Sequence, residues 1–321
     1  MSLLRLGVDL GGTNIAAALV DENGALHHRK SVGTRVDAGV FGIASDIAKL
    51  VQELVATVGE DRKISPDIGI GVPSIVHPKT RVVVHANNLG WIDVDLKKHL
   101  LPLLPDYKIH LGNDADCATL AESRFGVLKG YDNGLFLTLG TGLGGGFIYR
   151  GELFTGGLGF SFEPGHNTVV LDGDRCTCGR KGCLEAYVSS GALRREVDKR
   201  LNAGEPSVLK AEGGDPYTIR DIFDASDAGD PLAARVIDRY VYHLAAGLAN
   251  YINIFQPDIV ALGGGISKRG EAFYRRINEE VERALDWMAP FVKREVMPAK
   301  LGNDAGIIGA ALLATDPSYQ G

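Results

Sequence analysis

Four cysteines, two tryptophans and three methionines are all that a chain of 321 residues carries of those types. So few cysteines exclude the disulfide framework that holds small secreted domains together. No apolar run approaches the roughly 20 residues that a membrane span requires. Asp9 stands where a signal peptide would need its apolar core. Positive charge is not in surplus either: the net charge is −6 and the isoelectric point near 5.8. That argues against nucleic acid as a partner, because phosphate backbones call for a basic surface. With 45% apolar and 23% charged residues, the composition is that of a globular protein with buried cores. The length suggests about two domains.

Three of the four cysteines fall in one stretch, where His166 is followed by Cys176, Cys178 and Cys183. Three thiolates and one imidazole are the ligand set of a closed tetrahedral zinc site. Cys176 and Cys178 are too close in sequence to pair comfortably, and a bridge to Cys183 would strand one thiol. Thiols that serve as metal ligands imply a reducing compartment, so the expected location is the cytoplasm. A closed site leaves no open position to activate water, which makes the zinc a scaffold. Glu163 and Glu185 flank the ligands, and a metal that fixes the loop also fixes where both carboxylates point. The expectation is that they, with the free edge of His166, face a substrate rich in hydroxyls. Either glutamate alone would read as a solvated surface residue.

Glycine is abundant, at 42 residues, and it clusters in turns after strands. Alternation over Leu3 to Leu10, then Ile15 to Val20 and Ala25 to Val32, predicts a β-meander. At its first turn, Asp9-Leu10-Gly11-Gly12-Thr13-Asn14 combines a carboxylate, backbone N–H groups and a hydroxyl. Such a turn can hold phosphate with a hydrated Mg²⁺ beside Asp9, and it equally fits a plain hairpin. A helical stripe runs over 40–58 and a short strand over 67–72. The loop Asn87-Asn88-Leu89-Gly90-Trp91 reads as a β-turn or as side-chain amides for sugar hydroxyls.

A strand over 107–111 leads through Gly112-Asn113-Asp114-Ala115-Asp116 into a helix to about Phe125. Carboxylates at the seam of a strand and a helix lie where α/β enzymes place chemistry, and Asp116 also reads as a helix cap. A strand over 134–139 then meets Gly140-Thr141-Gly142-Leu143-Gly144-Gly145-Gly146. Its spacing fits a dinucleotide fingerprint, but the residues after it read as strand and not helix, so the reading fails. Strand, glycine turn and strand occur twice, which predicts a duplicated core. A long helix opens at Asp230-Pro231 and ends near Phe255. A strand over 258–262 then reaches a third glycine turn, Gly263-Gly264-Gly265. A helix over 273–288 and a strand over 293–301 precede Gly302-Asn303-Asp304-Ala305, which repeats residues 112–115. Asp304 runs directly into a tightly packing helix and reads as structural, as Cys117 reads as core.

These motifs resemble the ROK family of sugar kinases in the actin-like ATPase superfamily, and within it the bacterial glucokinases. The resemblance covers the whole length. It rests on Asp9 to Asn14, Leu139 to Gly146, Glu163-Pro164-Gly165-His166, Cys176 to Glu185 and Gly263 to Gly265. It implies an α/β fold of two domains about a cleft, ribonuclease H-like with a duplicated core. The smaller domain would comprise residues 1–115 plus 305–321. The larger would comprise 116–304, with the zinc loop 163–185. The C-terminal helix would pack back on the N-terminal domain.

By the same resemblance Asp114 is the general base, and Asn88, Asn113, Asp114, Glu163, His166 and Glu185 are sugar contacts. Asp9, Gly11, Gly12, Thr13 and Asn14, with Thr141, Gly142, Gly144 and Gly145, would cradle the phosphates of ATP. Gly264 and Gly265 would lie against the adenosine, Mg²⁺ would travel with ATP near Asp9, and His166, Cys176, Cys178 and Cys183 would hold the zinc. A homodimer or homotetramer is implied, with sugar and ATP as its ligands and neither nucleic acid nor membrane as a partner. Ser74 and Pro164 depart from the family's usual residues, which leaves the sugar open. Glucose is favoured, with N-acetylmannosamine, N-acetylglucosamine, allose and fructose as alternatives. The family also includes sugar-responsive repressors, but the first strand is expected from Leu3, which leaves no room before it for a DNA-reading segment.

Overall fold

The computed structural model describes residues 3–59, 62–209, 217–288 and 295–319. Strands β1 (Leu3–Leu10), β2 (Asn14–Val20) and β3 (Leu26–Gly33) form the expected meander, and α1 (Gly39–Val55) leads to β4 (Lys63–Val72). Three short strands, β5 (Ile75–Val76), β6 (Val83–Ala86) and β7 (Trp91–Val94), make a small sheet of their own. Helix α2 (Leu96–Leu100), strand β8 (Lys108–Asn113) and helix α3 (Asp114–Phe125) follow. The N-cap of α1, Ala38, makes no side-chain bond, so α1 lacks the ~1 kcal/mol that a polar cap supplies. Its buried stripe of Ile43, Ile47, Leu50, Val51 and Leu54 outweighs that loss, at about 1.5–3 kcal/mol for each side chain.

The first large sheet has the order β3-β2-β1-β4-β8. β1 runs antiparallel to β2 and parallel to β4, and β4 runs parallel to β8. In register, Asp9 stands opposite Gly71, and Gly71 opposite Gly112. The carboxyl ends of three parallel strands therefore bring Asp9 and Asn113 to one sheet edge, two strand spacings or about 10 Å apart.

The later half repeats this plan. Strands β9 (Gly134–Leu139), β10 (Leu143–Tyr149) and β11 (Glu152–Leu153) are followed by α4 (Glu185–Val188), α5 (Ser190–Asn202), α6 (Ile219–Asp227) and α7 (Pro231–Phe255). Then come β12 (Ile259–Gly263), α8 (Glu271–Ala284), β13 (Val296–Pro298) and α9 (Ala305–Leu312). The second sheet has the order β11-β10-β9-β12-β13, the layout of the first with each strand replaced by its counterpart. The duplicated core expected from the two strand–turn–strand motifs is thus present. Asp230 caps α7 through the N–H of Ala233, with Pro231 in the first turn, as its sequence predicts.

Two compact units result: Met1–Gly134 with Gly146–Phe162 and Ala299–Gly321, and Leu135–Gly145 with Glu163–Pro298. In the first, α9 packs against β1, β4 and α3 through small residues. A Cβ on Gly309 would lie 1.6 Å from the Cys117 carbonyl oxygen, and one on Gly69 would lie 1.7 Å from that of Ala310. Only glycine allows backbones to approach so closely.

Several boundaries differ from expectation. The strand after the second glycine run begins at Leu143, so only Gly140, Thr141 and Gly142 form the turn. The helix expected over 273–288 ends at Ala284, with a 3₁₀ turn over Asp286–Met288, and the last strand is three residues long. Residues 293 and 294 of that expected strand lie outside the described residues. Asp116 is not a helix cap. The cap of α3 is Asn113, whose Oδ1 accepts the N–H groups of Ala115 and Asp116.

Candidate active site

Asp114 is the first residue of α3 and is half-buried at the carboxyl end of β8. Its Oδ1 accepts the N–H of Ala115 at 2.8 Å, which orients the carboxylate. Asn113 is held at both ends, by the cap bonds and by Nδ2 donating to the Ser74 carbonyl at 3.0 Å. An amide carries two N–H donors, so the second remains for an acceptor such as a sugar hydroxyl. The Ser74 hydroxyl donates toward the carbonyls of His85 and Ile75, so this departure from the family pattern is absorbed within the small sheet. Asn88 lies in a 3₁₀ turn after β6, and a Cβ on Gly12 would meet its Cβ at 2.9 Å. The first glycine turn and the Asn88 amide are therefore neighbours.

That turn is tied down by the residue after β3: Thr34 donates its hydroxyl to the Gly11 carbonyl at 2.7 Å and its N–H to that of Thr13 at 2.8 Å. The N–H of Gly11 reaches the Asn14 carbonyl at 2.9 Å. Thr13 and Asn14 are exposed at the tip. Behind them, burial pushes the Asp9 carboxyl up to about 6, with Arg29 pulling the other way. A desolvated carboxylate short of positive charge suits a hard cation with oxygen ligands, so Asp9 fits Mg²⁺. Asp304, by contrast, sits 3.3 Å from Arg29 in an exposed ion pair, which agrees with its structural reading.

In the second unit His166, Cys176, Cys178 and Cys183 converge, with one ligand atom from each lying within 4.8 Å of the others. Cys178 Sγ and Cys183 Sγ are 3.7 Å apart, and Cys176 Sγ and His166 Nδ1 3.6 Å. A tetrahedron with zinc–sulfur bonds of about 2.3 Å and zinc–nitrogen bonds of about 2.0–2.1 Å has edges of about 3.5–3.8 Å. The donors and their spacing fit zinc. Burial pushes the Cys183 thiol up to about 12, with the neighbouring thiols adding to it, and burial also raises Cys176. For Cys178 burial acts upward, but the Arg180 N–H and the other two thiols outweigh it and lower the thiol. A divalent cation is what would let all three ionise together. Gly182, at φ 75°, makes the reversal into Cys183, where a Cβ would lie 1.7 Å from the Val170 carbonyl oxygen.

With Nδ1 in the tetrahedron, the Nε2 edge of His166 remains for other partners. Exposed Glu163 is followed by buried Pro164, whose carbonyl accepts the Tyr251 hydroxyl, and a Cβ on Gly165 would lie 2.3 Å from the Leu143 carbonyl oxygen. The loop's entry is thereby pinned on α7 and β10. Glu185 opens α4 and holds three partners: Oε1 accepts the Thr177 hydroxyl at 2.7 Å and the Cys176 thiol at 3.6 Å, and Oε2 accepts the Leu143 N–H at 3.0 Å.

The second glycine turn is fixed by Ser190, which donates its N–H and hydroxyl to the Gly140 carbonyl at 2.8 and 2.9 Å. Gly142 lies against Glu185, where a Cβ would be 2.7 Å from Oε2. Thr141 is exposed beside it, and Gly144 and Gly145 continue into β10. Gly264, at φ 86°, follows β12 with the Leu139 backbone against it, and Gly265 leads into the next 3₁₀ turn. Each unit thus gathers its own share of the expected residues. Asp9, the 11–14 turn, Asn88, Asn113 and Asp114 group in the first. The second gathers Gly140 to Gly145, Glu185, the metal ligands and Gly264. Sequence reasoning missed Thr177, whose only signal is a hydroxyl between two ligand cysteines, and Ser190, which carries none.

Comparison with known proteins identifies the family. A family model described as the ROK family matches residues 5–317. The glucokinase of Thermotoga maritima is 37% identical over 314 residues, covering 96% of either chain. A solved structure of a ROK family glucokinase from Streptomyces griseus, in complex with glucose and AMPPNP, aligns with a TM-score of 0.81 at 35% identity, over 97% of this chain and 98% of that one. The ROK hexokinase from Thermus thermophilus aligns equally well, at a TM-score of 0.81 and 31% identity over 96% and 97%. With a family model spanning nearly its whole length and these relatives above 30% identity, the chain belongs to the ROK family and has the actin-like ATPase fold of its sugar kinases.

Proposed function

We infer that this ATP-dependent sugar kinase phosphorylates glucose at its 6-hydroxyl, with Asp114 as the general base. The observation that carries the reading is the setting of Asp114. It is a half-buried carboxylate at the start of a helix and the carboxyl end of a parallel strand, oriented by its own backbone and flanked by the Asn113 amide. In phosphoryl transfer the protein mostly positions the reactants and neutralises charge, so one well-placed carboxylate suffices to accept the proton. The sugar oxygen attacks the γ-phosphorus, its proton passes to Asp114, and ADP departs with the bridging oxygen.

Asn88, Asn113, Glu163, Glu185 and the Nε2 edge of His166 are the groups suited to hold a polyol, by accepting from or donating to its hydroxyls. Zinc on His166, Cys176, Cys178 and Cys183 would supply rigidity and no reacting group, since four protein ligands close its shell. The turns at Gly11 to Asn14 and at Gly140 to Gly142, with Gly144 and Gly145 in the first residues of β10, offer backbone N–H groups to phosphates, and Gly264 and Gly265 a flat approach for the adenosine. Mg²⁺ beside Asp9 would neutralise phosphate charge. The Thermotoga maritima and Streptomyces griseus relatives carry the name glucokinase, which favours glucose among the hexoses. A cytoplasmic location and a homo-oligomer belong to the same reading.

The test is ADP release from ATP and Mg²⁺ over a panel of glucose, mannose, allose, fructose, N-acetylmannosamine and N-acetylglucosamine. Turnover greatest on glucose is expected. Strong turnover of an N-acetylated sugar with none of glucose would reverse the substrate assignment, and silence on every sugar would remove the kinase reading.

A further inference from the structure

One buried acid of the base helix has no part in the mechanism above. Asp116 lies two residues after Asp114 in α3 and is fully buried. Its Oδ2 accepts the hydroxyl of Tyr319 at 2.8 Å and that of Ser161 in a short bond. Its Oδ1 is buried without a hydrogen-bond partner among the described residues. A buried polar atom in that state calls for an explanation, because an apolar or amide side chain would fill the place at lower cost.

The two hydroxyls come from segments far away in sequence. Ser161 lies near the end of the strap 155–162, which closes on itself through bonds from the Ser161 N–H to the Thr155 carbonyl and from the Gly159 N–H to that of Gly156. Phe160 meets the His77 ring edge-on at 5.6 Å, and a Cβ on Gly159 would lie 2.7 Å from Pro78. Ser161 itself is held at φ 75°, a conformation that a non-glycine residue keeps only where its surroundings impose it. Tyr319 lies near the other end of the chain, with the Arg81 guanidinium 4.8 Å over its ring. One carboxyl therefore joins the base helix, the strap and the C-terminal segment, and the last two both rest on the turn after β5.

We propose that Asp116 is a positioning residue of this enzyme: its carboxyl ties the strap 155–162 to the first turn of the helix that carries Asp114, and so sets the affinity for the sugar. The strap stops one residue before Glu163, so its anchor at Ser161 fixes the backbone from which that sugar contact departs. Asp116 touches neither substrate nor reacting atoms in this role. Burial and the nearby charge of Asp316 both push its carboxyl upward, to about 6, against the pull of the two hydroxyls. The tie is thus made by a group held where its charge is costly. The link to sugar affinity rests on the kinase reading above; the tie itself does not.

Two variants and two readouts test it. Ser161→Ala removes the strap arm alone, and Tyr319→Phe removes the C-terminal arm alone. Hydrogen exchange in the free enzyme is expected to accelerate at least tenfold over 155–162 in Ser161→Ala and to stay near wild type there in Tyr319→Phe. Steady-state kinetics of Ser161→Ala are expected to show a hexose KM raised about tenfold, with kcat and the KM for ATP within twofold. Unchanged exchange over the strap overturns the tie, whichever sugar the enzyme takes. Faster exchange with an unchanged hexose KM overturns the positioning role, as does a parallel loss of kcat and melting temperature, which would mark a merely structural bond. Failure of the kinase reading shows differently, as wild-type enzyme that turns over no sugar while its strap exchange still responds to Ser161→Ala.

Discussion

The Oε2 atom of Glu185 accepts the backbone N–H of Leu143 at 3.0 Å, which joins the loop of the His/Cys cluster to the start of β10, beside the second glycine turn. The other oxygen takes the hydroxyl of Thr177, which stands between the ligands Cys176 and Cys178. A carboxylate proposed to hold the sugar is thereby fixed on one side by the turn proposed to hold phosphate, and on the other by the metal loop. Gly142 completes the contact, since any side chain there would meet Glu185. Orientation of the acceptor and of the donor then depends on one residue.

Thr177→Val tests that coupling with all four candidate ligands in place, and it also removes the 3.9 Å contact of the Thr177 hydroxyl with Cys176 Sγ. A hydrogen bond to a charged partner is worth about 1.5–3 kcal/mol when buried, but Thr177 is exposed and water can replace it, so a net loss of about 1 kcal/mol is the better figure. The hexose KM should rise about fivefold, with zinc stoichiometry unchanged. Kinetics and metal analysis on one preparation check it. An unaltered KM would mean that the Thr177 hydroxyl does not orient Glu185.

Asp114→Asn preserves the shape of the side chain and most of its hydrogen bonding while removing the ability to take a proton. General-base catalysis contributes about 10²–10⁴ in rate, so kcat should fall by that factor. Sugar affinity, read by calorimetry, should change little because the amide still bonds a hydroxyl. Turnover within a few-fold of wild type would take Asp114 out of the base role.

Elements with a local cause were legible in the sequence. The alternation of Leu3 to Leu10 and the runs from Ile15 to Val20 and from Ala25 to Val32 marked the meander, and the stripe over 40–58 marked α1. The repetition of strand, glycine turn and strand foretold two sheets of matching order. The metal cluster was legible because its spacing is short and its residue types are rare. What escaped was long-range. Nothing local distinguishes Asp116, a buried acceptor for Tyr319 203 residues away, from a helix cap. Nor does any spacing announce that Glu122, buried late in α3, accepts the N–H groups of Lys300 and Leu301. Such bonds are set by tertiary packing, and they carry no periodicity that a sequence window could detect.

Removing one zinc ligand should uncouple the loop. Cys178→Ser replaces an exposed thiol, so folding of the core should survive while the closed tetrahedron does not. Metal analysis is expected to fall from about one zinc per chain to near zero, with a lower melting temperature and loss of sugar binding, because structural zinc contributes folding energy directly. Retained metal and full activity would show that the cluster is not a zinc site.

Gly309→Ala probes the contact between α9 and α3. Alanine is the better helix former by about 1 kcal/mol, which alone would stabilise α9. The new methyl would lie 1.6 Å from a backbone oxygen of Cys117, which cannot rotate away, and the helices would have to part. Overpacking of this kind costs about 1–3 kcal/mol or more, and it should win. Denaturant unfolding should show a net loss of about 2 kcal/mol. Equal or greater stability would mean that the two helices are not held in such close contact.

The buried acid gives a prediction about pH. The carboxyl of Asp116 is raised from 3.8 to about 6 by burial, so between those values the folded state holds a proton that the unfolded state has released. Stability from this group is full below about pH 4 and is lost as pH rises through about 6. The shift corresponds to about 3 kcal/mol, an order-of-magnitude figure for a fully buried group. Ser161 and Tyr319, its hydrogen-bond partners, do not titrate in that window, and nearby Asp316 adds to the upward push of burial on the Asp116 carboxyl. Asp9, raised by burial in the same way, adds its own slope to wild type and to any variant alike. The difference between Asp116→Asn and wild type therefore isolates Asp116. Urea unfolding from pH 4 to pH 7 should find the variant gaining on wild type by about 3 kcal/mol over the range, with most of the change between pH 4 and pH 6. Parallel curves would mean that Asp116 titrates as an ordinary solvated carboxylate, and that its burial among Ser161, Tyr319 and Asp316 has no effect on its proton.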